Sequence, residues 1–217
     1  MKIIGMNKRN HFLKITNFIG LFFCVSFINA QNIDITILSD INVNRNTSLD
    51  PTFKAITNSA LPISVATPLI IYSVGLIKKD STIKNQALFI GETFLVSAFI
   101  TTALKYSIKR ERPFNTYPDI EKVTAAPGYS FPSGHTSTAF ATATSLSMEY
   151  PKWYIIAPSF AWASAVGYSR MHLGVHYPSD VVAGAIVGSG SAYISYKLNK
   201  WINKKRSEKH KQPELIE

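Results

Sequence analysis

The stretch Ser169-Arg170-Met171-His172-Leu173-Gly174-Val175-His176-Tyr177-Pro178-Ser179-Asp180 decides how the chain is built. It separates two apolar runs, residues 153–168 and 181–198, both rich in Ala, Gly and Ser and too long for strands. Pro178 fits the first position of a helix, where its missing N–H costs nothing. The stretch therefore closes one helix and opens another. His176 stands just before the second helix, and Asp180 lies four residues on, within its reach. A carboxylate on one imidazole nitrogen fixes the tautomer and leaves the other nitrogen free to attack. Asp180 also has a plainer reading, compensation of the dipole in a first helical turn. His172 is off this pattern and reads as a packed or hydrogen-bonded histidine.

Working outward, three more apolar runs occupy residues 61–77, 86–108 and 136–148. Their lengths and small-residue content predict an all-α antiparallel bundle of about five to six core helices, embedded in a membrane. Ala141, Ala143, Ala183, Gly184 and Gly188 allow those helices to approach closely. Between Lys109 and Pro132 runs a loop with Pro113, Pro118, Pro127 and Pro132, too long to be a mere connector. Alternating helix direction then places Lys105, His135, Arg170 and Asp180 at one end of the bundle. Lys78, Lys79, Lys84 and Lys152 fall at the other.

The end that gathers these residues has the inventory for a phosphoryl group. A phosphate monoester carries close to two negative charges near neutral pH. Lys105, Arg112 and Arg170 are candidate cations for it, Arg for a bidentate grip and Lys as a compact charge. Lys109 and Arg110 read as a basic flank at a helix end. Pro132-Ser133-Gly134-His135 opens a helix: Ser133 suits the N-cap, free N–H groups there favour an anion, and Gly134 permits close backbone approach. His135, set where that anion would lie, is a candidate general acid.

Taken together these residues resemble the type 2 phosphatidic acid phosphatase family, which includes bacterial class A acid phosphatases and is related to vanadium haloperoxidases. The resemblance rests on Lys105, six residues, Arg112-Pro113; on Pro132 to His135; and on Ser169-Arg170, five residues, His176, three residues, Asp180. It covers about residues 61–202. It implies a helical bundle, metal-independent hydrolysis without a cofactor, and His176 as a nucleophile forming a phosphohistidine. It further implies that Asp180 orients His176 and that His135 serves as acid and then as base for water. Lys105, Arg112, Ser133, Gly134 and Arg170 would hold the phosphate.

Composition bounds the rest. The 217 residues suit one domain, and the charged fraction of 17% is low. The net charge of +10 sits mostly at the ends. Residues 1–30 hold Lys2, Lys8, Arg9 and Lys14 with no acid, and 203–217 form a basic tail. Such placement argues against a nucleic-acid-binding face and for targeting and membrane topology. Residues 1–30 read as a signal peptide: a basic start, an apolar run from Ile15 to Ile28, and Ala30 before Gln31. Cys24, the one cysteine, lies within it. Residues 31–60 are polar and read as an exported extension. The expected setting is a bacterial-type cell envelope, in the inner membrane with the site facing the periplasm and a phosphate-bearing lipid as substrate. Three alternatives stay open: a soluble periplasmic acid phosphatase, a vanadate-dependent haloperoxidase, and a lipid-phosphate-binding membrane protein without turnover.

Overall fold

A computed structural model describes residues 33–211, and no strand occurs among them. The proposed signal segment, Cys24 included, and residues 212–217 of the tail lie outside the described residues. The chain divides into two compact units, Met1–Ile37 and Leu38–Glu217. Of the first, residues 33–37 are described and are helical. All that follows concerns the second.

Its helices are α1 (Asp50–Asn58), α2 (Ala60–Ile77), α3 (Ser81–Ile108), the single turn α4 (Pro113–Thr116), α5 (Gly134–Glu149), α6 (Trp153–His172) and α7 (Pro178–Lys211). Each boundary has a local cause. Asp80 caps α3, its carboxylate accepting from the N–H groups of Thr82 (2.7 Å) and Ile83 (3.3 Å). This cap adds a polar first turn ahead of the apolar run at 86–108. Lys109 ends α3 in the left-handed region (φ 52°), turning the chain back toward α7. Gly174, at φ 71°, makes the corresponding turn after α6.

Helix α5 packs against α2, α3, α6 and α7 and so occupies the centre. Its buried residues are small: Thr136, Ser137, Ala139, Ala141, Thr142, Ala143 and Ser145. Most of the hydroxyls that weaken its hydropathy are spent inside the bundle, Ser147 Oγ being a buried exception. Thr142 Oγ1 donates to Ser64 Oγ (2.7 Å), Thr144 Oγ1 donates to Ser189 Oγ (3.1 Å), and Thr101 Oγ1 lies 2.8 Å from Ser137 Oγ. The closest approach is between α5 and α7. A Cβ on Gly184 would meet the Ser133 carbonyl oxygen at 2.7 Å, and one on Gly188 would collide with the Ser137 carbonyl and the Ala141 nitrogen. Both obstacles are backbone and cannot swing aside. Gly188→Val is therefore expected to cost about 1–3 kcal/mol, seen as a lowered melting temperature in detergent; an unchanged melt would mean the helices sit farther apart.

Two stretches, Thr47–Ile77 and Ser81–Thr116, are long and apolar enough to cross a membrane. Their most apolar windows are only 17% and 33% buried, so the apolar faces point outward rather than into a core. Leu69, Ile70, Leu95 and Phe99 stand exposed on them.

Candidate active site

The end of the bundle where α3 and α6 finish and α5 and α7 begin collects the residues singled out from the sequence. His176 sits in the turn before α7, 2% exposed. Its Nδ1 is 3.4 Å from Asp180 Oδ2, and its Nε2 is 3.2 Å from Arg112 Nη1. A guanidinium only donates, so Nε2 is the acceptor and Nδ1 carries the proton toward Asp180. That is the tautomer an attacking Nε2 requires.

Asp180 is fully buried and heavily engaged. Oδ2 accepts from the Ser130 hydroxyl and from the N–H of Tyr177 (3.0 Å). The second contact is a capping box, the third helical residue reaching back to the residue before the helix. Oδ1 accepts from Arg110 Nη1 at 2.7 Å, and Arg110 also donates to Ser179 Oγ while its guanidinium lies 3.8 Å over the Tyr177 ring. Arg110 thus departs from its reading as a mere basic flank. The left-handed turn at Lys109 aims it at the start of α7, which no local pattern announces.

The cations differ in how they are used. Lys105 Nζ donates to the Tyr129 (2.7 Å) and Ser130 (3.3 Å) carbonyls. Arg112 is almost wholly buried and contributes to five contacts: Nε to Gly128 O, Nη2 to Pro127 O and Tyr129 O, and Nη1 to Val175 O and His176 Nε2. The long loop is therefore an inner wall whose carbonyls grip two cations. Arg170 is 2% exposed. Its Nη1 donates to Thr57 Oγ1 at 2.8 Å, whereas its Nε has no hydrogen-bond partner among the described residues. Buried donors left unspent are costly, and an arriving anion would satisfy them.

His135 occupies the second position of α5, behind Ser133 and Gly134. Ser133 stands at the N-cap position, but its hydroxyl accepts from Thr136 Oγ1 (2.8 Å) and makes no side-chain cap. The first N–H groups of a helix have no intrahelical acceptor, so the turn keeps its donors for an anion. Asn42, Asp50, Thr57, Ser130 and Arg110 are the site's unanticipated members. The first three come from the polar extension, part of which folds with the body from Leu38 onward.

Burial and cations act together on the two histidines, which lie outside the two apolar stretches. Burial first, then Arg170, Arg112 and Lys105, push His135 down to about 4. Burial pushes His176 down to about 3, against the upward pull of Asp180. Both are neutral at pH 7. For a depressed histidine the unfolded chain binds the extra proton between the folded value and about 6.5. Stability is therefore complete above pH 6.5 and is lost as pH falls through that window toward 4 and 3. A phosphate dianion offsets the cations around His135 and should restore its proton. Calorimetry of sulfate binding, a tetrahedral dianion that does not itself titrate near neutral pH, in two buffers of different ionisation heat is expected to show net proton uptake at pH 6–7; no uptake would detach His135 from the anion.

Fold and pocket define a class: an all-α bundle with a two-histidine, three-cation pocket at one end. A family model described as the PAP2 superfamily matches residues 86–204, more than half of the chain, and the chain belongs to that family. It is 36% identical over 114 residues to an undecaprenyl-diphosphatase of Sulfolobus acidocaldarius, covering 50% of this chain and 55% of that protein. It is 41% identical over 107 residues to a lipid A 1-phosphatase of Porphyromonas gingivalis, covering 48% of this chain and 21% of the other. The chain thus spans about half the length of the first and a fifth of the second. Among solved structures it resembles Aquifex aeolicus LpxE, with TM-score 0.64, 29% identity, and coverage of 76% of this chain and 95% of that one. A transmembrane PAP2 type phosphatidylglycerolphosphate phosphatase from Bacillus subtilis shares the fold, with TM-score 0.65, 23% identity, and coverage of 87% and 96%.

Proposed function

We propose that this chain is a metal-independent phosphatase that cleaves a lipid phosphate or polyprenyl diphosphate through a phosphohistidine, at the periplasmic face of the inner membrane. The observation that carries this reading is His176, held by Asp180 on Nδ1 with its Nε2 lone pair turned toward a cationic pocket. Nε2 attacks phosphorus, and the P–O bond to the leaving group breaks. His135 protonates the departing oxygen. Water then attacks the phosphohistidine, His135 takes a proton from it, and the P–N bond breaks to release phosphate. As Nε2 turns to phosphorus, the Arg112 N–H that faced it becomes free for a phosphoryl oxygen. Arg170 and the α5 N-terminus supply further donors, and Lys105 supplies charge.

A lipid substrate is favoured by the surroundings of the pocket. A groove of about 300 Å³ leads from Lys105 and His135 between α2 and α3, past Ala60, Leu61 and Ala98. One turn farther along the same helices a groove of about 660 Å³ follows, lined by Val65, Pro68, Leu69, Phe94 and Leu95. These mainly apolar walls, with Glu92 and Thr101 among their polar members, suit hydrocarbon better than a soluble sugar phosphate. The lysines at the opposite end of the bundle fit a cytoplasmic side.

The test is a phosphate-release panel on detergent-purified protein, comparing phosphatidate, phosphatidylglycerol phosphate, polyprenyl diphosphate and soluble monoesters, with chelator present. Preference for one lipid class supports the proposal. Equal cleavage of soluble monoesters, with release of the protein by osmotic shock, would favour the soluble acid phosphatase. Binding without release would favour a non-catalytic lipid-phosphate receptor.

A further inference from the structure

We infer that Thr57 is a positioning residue for the phosphate cradle, and that residues 42–57 form a strap that sets the aim of Arg170. The inference rests on the phosphatase reading above and adds residues to it that lie outside the matched family region.

Helix α1 lies along the last turns of α6 and meets it at three places on one face. At its start, Asp50 Oδ1 is 2.9 Å from His172 Nε2. In its middle, the Phe53 ring packs against Tyr168 and His172, with centroids 5.3 and 4.2 Å away. At its end, the fully buried Thr57 accepts the Arg170 hydrogen bond. Residues 50, 53 and 57 are spaced as one helical face requires. The strap is fixed from outside as well. Asn42 donates to the His172 and Glu121 carbonyls and accepts from the Glu121 N–H. Arg45 joins Asp50 to Glu121. The seven polar contacts among these would be unnecessary if α1 merely covered apolar surface.

The consequence for Arg170 follows from a count of its donors. A guanidinium has five N–H bonds in a rigid plane. Among the described residues, Thr57 is the acceptor that Arg170 has, whereas Arg112 is engaged along its whole edge. One anchored Nη1 fixes the plane, and the remaining edge is left for an oxyanion. Without the anchor the plane can turn, and a misplacement of about 1 Å in such a group costs on the order of 100-fold in rate.

Thr57→Val keeps the shape of the side chain and removes the acceptor; Thr57→Ser keeps the acceptor. Full-length proteins in detergent are compared for turnover of the substrate found in the panel, for competitive inhibition by orthovanadate, and for melting temperature. In Thr57→Val we expect kcat/KM to fall about 10- to 100-fold, with orthovanadate inhibition weakened in parallel and the melt within a few degrees of wild type. Thr57→Ser should return to within about threefold. Placed on an Arg170→Ala background, Thr57→Val should add no further loss, because it acts through that residue. Wild-type kinetics and vanadate affinity in Thr57→Val, or a loss that persists undiminished without Arg170, would overturn the inference alone. A wild-type protein that neither binds orthovanadate nor releases phosphate would overturn the phosphatase reading and the inference together.

Discussion

Replacing His176 by alanine is expected to lower phosphate release by at least about 10³-fold. In the proposed mechanism the ring forms the covalent bond to phosphorus, and its removal leaves only the binding of the anion. The side chain is buried, so a void follows, and the melt of the variant must be measured beside its rate. Phosphate affinity should change little, because Arg170, Lys105 and the start of α5 remain. His135→Ala is the informative companion. It removes both the proton donor to the leaving group and the base that activates water, so with a labelled nitrophenyl phosphate, whose leaving group needs no proton, phosphate should accumulate on His176 as an acid-labile, base-stable adduct. An active His176→Ala protein would remove the nucleophile from the scheme. Turnover of the nitrophenyl phosphate by His135→Ala with no adduct formed would leave direct attack by water as the mechanism.

The second large effect is expected at Asp180, where stability and turnover separate by choice of variant. Asp180→Ala strips the partner from Arg110, Ser130, the Tyr177 N–H and His176 at once. Arg110 keeps a quarter of its side chain exposed, so the main cost is the buried donors left unmet, about 1–3 kcal/mol each, and the capping box of α7 goes with them. That variant should melt well below wild type. Asp180→Asn preserves the shape and most hydrogen bonds but cannot stabilise the imidazolium-like charge that grows on His176 as it attacks. The comparable change in another His–carboxylate pair lowers kcat by about 10⁴-fold, and a loss of that order in kcat with little change in KM is expected here. Equal losses in melting temperature and rate across both variants would reduce Asp180 to a helix cap.

What could be read from the chain was what repeats or keeps close company. Helix lengths, their alternating direction and the near-neighbour pair His176 and Asp180 all have local signatures. These placed Lys105, His135, Arg170 and Asp180 at one end of the bundle. The rest of the site depends on polar contacts between residues far apart in sequence. Asn42 reaches Glu121 across 79 positions, and Asp50 meets His172 across 122. Such pairs are single side chains with no period to betray them. Arg110 was illegible for a different reason. Its direction is set by one left-handed residue, Lys109, and lysine gives no sign of that conformation. Ser130 looked like one more residue of a proline-rich loop until the loop folded inward around Arg112.

The saturated guanidinium of Arg112 has a meaning for the resting molecule. Its contact with Nε2 keeps the imidazole's lone pair spoken for while the pocket waits. On the proposed mechanism, a guest bearing enough negative charge draws the guanidinium to itself and so bares the atom that attacks it. On that reading the substrate carries the key to its own cleavage.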